Sequence, residues 1–122
     1  MDHITTGIKY LLLTIKNNGN IHIQVDSDCD GYTSSALLIN YLYSVLPVWT
    51  QTHVTYALHK SKTHGIDMDQ VPENTALVIA PDSSSNEVNK HNQLADKGIH
   101  TIVLDHHHAE SDGLDMAIII NN

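Results

Sequence analysis

The length, composition and charge of the chain set the first limits on its class. Its 122 residues, 41% of them hydrophobic, suit one compact domain and argue against a disordered or fibrous protein. A single cysteine excludes an intramolecular disulfide framework, and the formal net charge of −8 disfavours nucleic-acid binding by broad neutralisation of phosphates.

The first half of the chain predicts a helix, a strand, a polar turn and a second helix. Apolar residues recur at helical spacing over His3–Lys16, and the β-branched run Ile21–Val25 is typical of a strand. The acids of Asp26–Gly31 then predict a polar turn. The apolar residues of Ser34–Leu46 predict a mostly buried helix, which Pro47 ends.

The second half alternates strands with other segments. Strands are predicted over His53–Leu58, Ala76–Ala80, Thr101–Leu104 and Met116–Ile120. Between them, Lys60–Glu73 is expected to be irregular and Ser84–Lys97 to be a polar helix. This alternation predicts a three-layer α/β/α fold with a mainly parallel sheet of about five strands, in which the last strand is central.

Acids and histidines follow three of the predicted strands, directly after each strand ends. They are Asp26, Asp28 and Asp30, then Asp82, then Asp105, His106, His107 and His108. Ligands gather beyond the carboxyl ends of parallel strands, so we expect these three groups to converge. Carboxylates with imidazoles bind Mn²⁺, Mg²⁺ or Zn²⁺, and such ions allow an acidic protein to handle phosphates.

Each group has an alternative interpretation when it is taken alone. An EF-hand loop starting at Asp26 needs Glu at its twelfth position, which is Leu37, so this alternative is rejected. Asp82 alone favours a helix N-cap, and the histidine run alone suits a surface turn. The joint occurrence at three strand ends favours one site. The irregular segment adds Lys60, Lys62 and His64 at the same edge. Contact with a substrate phosphate and an ordinary solvated loop are equally good interpretations of these three.

Two of these segments resemble motifs of a known family. Asp-Ser-Asp-Cys-Asp-Gly at residues 26–31 resembles the first motif of the DHH phosphoesterase superfamily, and Leu-Asp-His-His at residues 104–107 resembles the motif that names it. Ala-Pro-Asp at residues 80–82 lies where the family has a lone aspartate. With His-Gly-Ile at residues 64–66, the pattern looks most like the RecJ-type branch of single-strand-specific exonucleases.

The resemblance implies a site for two metal ions, Mn²⁺ or Mg²⁺. It implies metal ligands at Asp28, Asp30, Asp82 and His106, a histidine near the substrate phosphate at His107, and supporting acids at Asp26 and Asp105. Two positions depart from the family. Gln24 stands where many members have a histidine ligand, and a later metal-binding aspartate has no match, since Asp112 and Asp115 follow the motif too closely.

The function that the resemblance implies is a metal-dependent phosphodiesterase, a RecJ-like 5′–3′ exonuclease that attacks single-stranded DNA or oligonucleotides with metal-activated water. Another DHH activity stays open, on short oligonucleotides, cyclic dinucleotides or pyrophosphate, and so does an inactive fragment that only binds metal or a partner. We expect residues 1–122 to be one DHH-type catalytic domain, incomplete at its C-terminus, that self-associates through an uncovered sheet edge. The low cysteine content and the lack of a secretory or membrane pattern predict the cytoplasm, or the host cytoplasm for a viral protein.

Overall fold

Short runs rich in Ile and Val form one parallel sheet of five strands in the computed structural model, which describes residues 2–110 and 117–121. The strands are β1 (Asn20–Val25), β2 (Val54–Leu58), β3 (Thr75–Pro81), β4 (His100–Asp105) and β5 (Ala117–Asn121). Their order across the sheet is β2-β1-β3-β4-β5, and every neighbouring pair is parallel. β1, β3 and β4 therefore lie side by side and point to the same edge of the sheet.

Helices cover both faces of this sheet. They are α1 (His3–Lys16), α2 (Cys29–Val45), α3 (Pro47–His53) and α4 (Val88–Asp96), with a 3₁₀ turn at Met68–Gln70. α1, α2 and α3 pack on one face through Leu11, Leu42 and Trp49, and α4 packs on the other through Leu94. The predicted three-layer α/β/α fold is thus confirmed. None of the helices within residues 2–110 and 117–121 is long and apolar enough to cross a membrane.

The strand side chains alternate between two apolar cores. Ile21, Leu77 and Ile79 belong to the core beneath α1, α2 and α3, whereas Val78 and Ala80 belong to the core beneath α4. Extended backbone imposes this period of two. β3 is almost entirely buried, as predicted for a strand that is covered on both faces.

α2 begins earlier than the sequence predicts. It starts at Cys29 rather than Ser34, because the Asp28 carboxylate accepts a hydrogen bond from the Gly31 N–H at 2.8 Å and caps the helix. The predicted polar turn is therefore helical from Cys29 onward. This cap also fixes the direction of the Asp28 side chain at the carboxyl edge of the sheet.

The prediction that this second helix is mostly buried is wrong. Only one side of α2 faces the sheet, through Leu38 and Leu42, while Leu37 is 73% exposed and Tyr41 is 63% exposed on the opposite side. Pro47 ends the helix as predicted, and it also occupies the first turn of α3, a short helix that the sequence analysis did not predict.

The helix after β3 begins at Val88 rather than at the predicted Ser84. Asp82 and Ser84 have positive φ angles of 65° and 79°, which a right-handed helix does not allow. Ser85 instead directs its N–H and hydroxyl to the Asp105 carboxylate, at 3.3 and 2.9 Å. Residues 82–87 therefore form a loop over the carboxyl edge of the sheet.

The last strand lies at an edge of the sheet and not at its centre. Across residues 2–110 and 117–121, β5 pairs with β4 alone, and β2 forms the opposite edge. The prediction of a central strand is therefore wrong for the described residues. α1 covers one side of β5, and the His3 Nδ1 atom lies 2.5 Å from the carbonyl oxygen of Ile119.

Candidate metal centre

Three buried carboxylates lie together at the carboxyl edge of the sheet. Asp26 directly follows β1, Asp82 directly follows β3, and Asp105 is the last residue of β4. Because these strands are parallel neighbours, their ends bring the three side chains to one place. The sequence groups that were expected to converge are adjacent in the structure.

The first ligand group consists of Asp26, Asp28 and His64. Both carboxylate oxygens of Asp26 lie 3.0 Å from the His64 Nδ1 atom, and one of them accepts the Gly65 N–H at 3.3 Å. One potential ligand atom from each of the three side chains lies within 4.8 Å of the other two. Two oxygens and a nitrogen at this spacing suit a divalent cation.

The second ligand group consists of Asp82, His106 and His107. The His106 Nε2 atom lies 2.8 Å from Asp82 Oδ1, and the potential ligand atoms of all three residues lie within 4.8 Å of one another. Asp82 is only 5% exposed. Its other oxygen, Oδ2, accepts no hydrogen bond from the residues that the structure describes. A buried carboxylate oxygen without a donor is costly unless a cation or a proton reaches it.

The two groups meet where Asp28 and Asp82 face each other. Burial, and then the neighbouring Asp28 carboxyl, raises the pKa of Asp82 above its ordinary value. The hydrogen bond from the Gly31 N–H lowers the pKa of Asp28. The pair thus contains one carboxyl that gains a proton easily and one that stays charged. A cation bound between them offsets their repulsion, so the residues present fit a metal ion.

Asp105 orients the histidines that follow it. Its Oδ1 atom accepts the backbone N–H groups of His106 and His107 at 2.8 and 3.2 Å, and lies 2.6 Å from the His107 Nδ1 atom. Burial alone would raise the pKa of Asp105, but the hydrogen bonds from His107 and Ser85 hold it below its ordinary value. The same bond raises the pKa of His107. Asp105 therefore fixes the His107 ring with Nδ1 bound and Nε2 available.

The other predicted site residues lie outside both ligand groups. Asp30 is exposed in the first turn of α2 and lines a cleft beside Asp82 and His106. Lys60 and Lys62 are exposed on the segment that carries His64 and line neither of the two clefts at the site. The side chain of His108 is exposed. Asp112 and Asp115 lie outside the described residues.

Two clefts border the ligand groups. One, of about 360 Å³, is lined by Asp26, Asp28, His64 and the loop of residues 82–87. The other, of about 580 Å³, is lined by Asp30, Ser34, Leu37 and Leu104 together with Asp82 and His106 of the second ligand group. Asp82 and Asp105 contribute to both clefts. Between them, the two clefts therefore reach all the residues of both ligand groups.

Sequence reasoning missed several residues that hold the site together. Asn121, at the end of β5, donates from Nδ2 to Ser85 Oγ at 2.9 Å and to the carbonyl oxygen of His107 at 2.8 Å. Gln24, at the position of a family histidine, accepts the Asp67 N–H at 2.8 Å instead of facing a metal. The serines after Asp82 were the visible signal, but they fit a helix start equally well.

Comparisons with known proteins agree with the motifs. Residues 20–122 match the N-terminal domain of the DHH family. Over its whole length the chain is 36% identical to a protein named as an SPbeta prophage-derived single-strand DNA-specific exonuclease in Bacillus subtilis strain 168. It is equally similar to a similarly named protein of Bacillus phage SPbeta. The chain spans 20% of the length of each relative.

Solved structures show the same fold. The exonuclease RecJ bound to manganese superposes with a TM-score of 0.69, at 21% identity, over 87% of this chain and 27% of that one. RecJ of Thermus thermophilus in complex with Mn²⁺ gives a TM-score of 0.67, at 22% identity, over 91% of this chain and 15% of that one. The predicted architecture is therefore that of the corresponding part of RecJ.

Proposed function

The chain belongs to the DHH family, and from that membership we propose that it carries catalytic residues of a metal-dependent phosphodiesterase, a RecJ-like 5′–3′ exonuclease acting on single-stranded DNA. The observation that carries the proposal is the buried Asp82 carboxylate. Its Oδ2 atom lacks a donor among the described residues, although Asp82 belongs to one group of potential ligands and faces Asp28 of the other. Such an arrangement is unfavourable without a cation or a proton, and Asp82 would hold metal ions together with residues of both groups.

The proposed metal ligands are Asp28, Asp30, Asp82 and His106. Asp26 and Asp105 support them, since each is buried and accepts hydrogen bonds from residues around the site. The ions are Mn²⁺ or Mg²⁺, and imidazole nitrogen among carboxylates favours Mn²⁺. Two such ions, when bound, supply an activated water for in-line attack on phosphorus and neutralise charge on the phosphate oxygens.

His107 is proposed to contact the phosphate that is cleaved. Asp105 holds the ring at Nδ1 and raises the pKa of His107, so the ring carries a proton on Nε2 at higher pH than a free histidine. That proton is available to a phosphate oxygen. Lys60, Lys62 and His64 lie on one segment beside the site, and we assign them weaker contacts with the flanking phosphates.

A chain of net charge −8 needs local positive charge to hold a polyanion. Divalent ions, when bound, would make the electrostatic potential at this acidic edge positive. Contacts to phosphates alone do not distinguish one base sequence from another. We place this reaction in the cytoplasm of a bacterial cell, or of the host for a phage protein, where the thiol of Cys29 stays reduced.

Metal binding is tested by titrating Mn²⁺ calorimetrically into metal-free protein and into the variants Asp28→Ala and Asp82→Ala. We expect both substitutions to weaken binding strongly, because the two residues belong to different ligand groups of one site. Asp96→Ala, an exposed acid at the end of α4, is the matched control and is expected to bind as the unaltered chain does. Equal affinity in all four proteins would overturn the proposal.

Substrate class is tested by the products formed in Mn²⁺ from several phosphodiesters. Mononucleotides released from the 5′ end of long single-stranded DNA support the exonuclease. Turnover limited to dinucleotides, cyclic dinucleotides or pyrophosphate would assign another DHH activity. Metal binding without turnover, in an assay where a longer chain containing these residues hydrolyses DNA, would assign these residues a binding role alone.

We also propose that the chain self-associates through β5. Its outer edge pairs with no other strand of the described chain, and its Ile118 and Ile120 side chains are only half-buried. An unpaired apolar edge is a template for a second strand. Sedimentation is expected to show dimers of the unaltered chain and monomers of the Ile118→Pro variant. An unaltered chain that is monomeric at every concentration would contradict this.

A further inference from the structure

The segment that carries His64 is hydrogen-bonded to residues at the start of α4, across the cleft that Asp26 and Asp28 line. Glu87, the residue before α4, accepts the Ile66 N–H at 2.9 Å through Oε2. Lys90, in the first turn of α4, donates from Nζ to the carbonyl oxygen of Ile66 at 2.7 Å and to Glu87 Oε1 at 2.8 Å. Both backbone groups of Ile66 are therefore held by one ion pair. Ile66 itself is fully buried in the core beneath α4.

Gly65 lies directly against the Glu87 carboxylate of the same ion pair. Its φ angle is +86°, and a Cβ atom built on it would lie 2.1 Å from Glu87 Oε1 and 2.5 Å from the Glu87 carboxyl carbon. No residue with a side chain fits this position without displacing Glu87. The backbone of residues 65–66 thus lies at a fixed distance from the start of α4.

The neighbouring His64 has little else to place it. Its side chain is 61% exposed, and within the described residues its ring is hydrogen-bonded to Asp26 alone. The Gly65 N–H binds the same carboxylate at 3.3 Å. Where the His64 ring lies consequently depends on where the backbone of Gly65 and Ile66 lies.

We propose that Glu87 and Lys90 are positioning residues that set His64 against Asp26 by holding the backbone of Gly65 and Ile66. This inference rests on the proposed function only for what the positioned histidine does. Lys90 is needed as well as Glu87, because Glu87 lines the same cleft as Asp26 and Asp28 and its charge would otherwise repel them. Within the described residues, the hydrogen bonds of Glu87 and Lys90 go to Ile66 and to each other and not to the proposed metal ligands, so their effect is exerted through the backbone.

Amide hydrogen exchange in the metal-free protein tests the positioning directly. The informative group is the Gly65 N–H, which binds Asp26 and has no bond to Glu87. We expect its exchange to become about tenfold faster in Glu87→Ala and in Lys90→Met, while the amides of β3 and β4 keep their rates. Glu87→Gln keeps an acceptor for Ile66 and is expected to restore most of the protection. Glu73→Ala and Lys97→Met, at exposed positions, are the matched controls.

Unchanged Gly65 exchange in Glu87→Ala, or the same acceleration in Glu73→Ala, would overturn the proposal. If Glu87→Ala fails to fold, Lys90→Met is compared with Glu87→Gln: the first is expected to accelerate Gly65 exchange and the second to keep most of the protection, and equal exchange in both would overturn the proposal. Where the protein hydrolyses DNA, we expect Glu87→Ala to raise KM and to add nothing in a His64→Ala background, whereas additive effects would break the link to His64. The exchange result needs neither metal nor DNA, so a failed nuclease assay does not affect it.

Discussion

Asp105 contributes to the candidate site by orienting other residues. Its carboxylate accepts the backbone N–H groups of Ser85, His106 and His107, together with the Ser85 hydroxyl and the His107 ring, and it is buried. A carboxylate that holds one nitrogen of a ring fixes which nitrogen faces a metal or substrate. The identity of this residue therefore matters although it need not bind an ion.

Replacing Asp105 with Asn tests this role. The amide keeps an acceptor but presents an NH₂ group where charge now attracts the His107 ring. We expect the affinity for Mn²⁺, measured by calorimetry, to fall by about 10- to 100-fold, the usual effect of losing such an outer partner. Ser85→Ala, which removes only one of the bonds to Asp105, is expected to lose much less. An Asp105→Asn protein that is folded and binds Mn²⁺ normally would contradict the role.

His22 predicts an acid-sensitive step in stability. Burial lowers its pKa from 6.5 to about 4, and the ring is 1% exposed on β1. Below pH 6.5 this histidine binds a proton in the unfolded chain but not in the folded chain. The unfolding free energy therefore keeps its full contribution from neutral His22 above pH 6.5 and loses it progressively down to about pH 4. The shift corresponds to about 3 kcal/mol lost across that window.

The measurement is urea unfolding at several pH values between 7 and 4, for the unaltered chain and for His22→Leu. As the pH falls, the unfolding free energy of the unaltered chain is expected to decrease relative to that of His22→Leu. His108→Asn, at an exposed ring, is expected to follow the unaltered chain. Parallel curves for the unaltered chain and His22→Leu would show that this ring is not the cause.

At the scale of elements, the start of α2 rests on the end of β1. A Cβ atom on Gly31 would lie 2.6 Å from both the Cβ and the carbonyl oxygen of Asp26. Gly31 also donates the hydrogen bond that caps the helix at Asp28. The contact between the two elements thus sets the spacing of two site acids.

Gly31→Ala is expected to separate these elements. We expect a loss of about 1–3 kcal/mol in unfolding free energy from the clash, together with weaker Mn²⁺ binding as Asp26 and Asp28 move apart. Asn40→Ala, on the exposed side of the same helix, is expected to change stability by less than about 0.5 kcal/mol. Unfolding by denaturant and Mn²⁺ calorimetry on the same samples check both effects. Unaltered metal affinity in a destabilised Gly31→Ala protein would show that this contact stabilises the fold without setting the spacing of Asp26 and Asp28.

The sequence predicts the helices and strands that are determined by the apolar periodicity of their own residues. α1 has the predicted bounds, and the strands lie within about two residues of the predicted ones, because apolar periodicity is a property of a short stretch of chain. The edge that gathers the acids follows from the same reasoning, since parallel strands end together. The bounds of α2 differ from the prediction mainly at its start, because its cap, Asp28, had been assigned to a turn.

Distant contacts explain what the sequence does not show. The irregular segment after β2 is placed by Glu87, which is 21 residues from its partner Ile66, and by Gln24, which is 43 residues from its partner Asp67. Neither contact leaves a periodic trace. The inclusion of His64 in the first ligand group depends on this path.

At the scale of the whole molecule, the parallel sheet concentrates negative charge at one edge. The fold places Asp26, Asp82 and Asp105 there in buried positions, within a chain of net charge −8. Burying like charges together costs stability, and the cost is recovered only when cations or donors reach them. The free protein is therefore expected to be less stable than the metal-bound one.

Divalent cations are accordingly expected to raise the melting temperature of the chain. Mn²⁺ at 100 times its dissociation constant stabilises a folded protein by about 2.7 kcal/mol, which corresponds to a shift on the order of 10 °C for a domain of this size. NaCl at matched ionic strength separates general screening from binding, because it relieves repulsion over the whole surface without occupying the site. Asp82→Ala is expected to lose most of the Mn²⁺ response and to keep the NaCl response. Equal shifts in the unaltered and the Asp82→Ala proteins would mean that the ions act on the surface charge and not at this edge of the sheet.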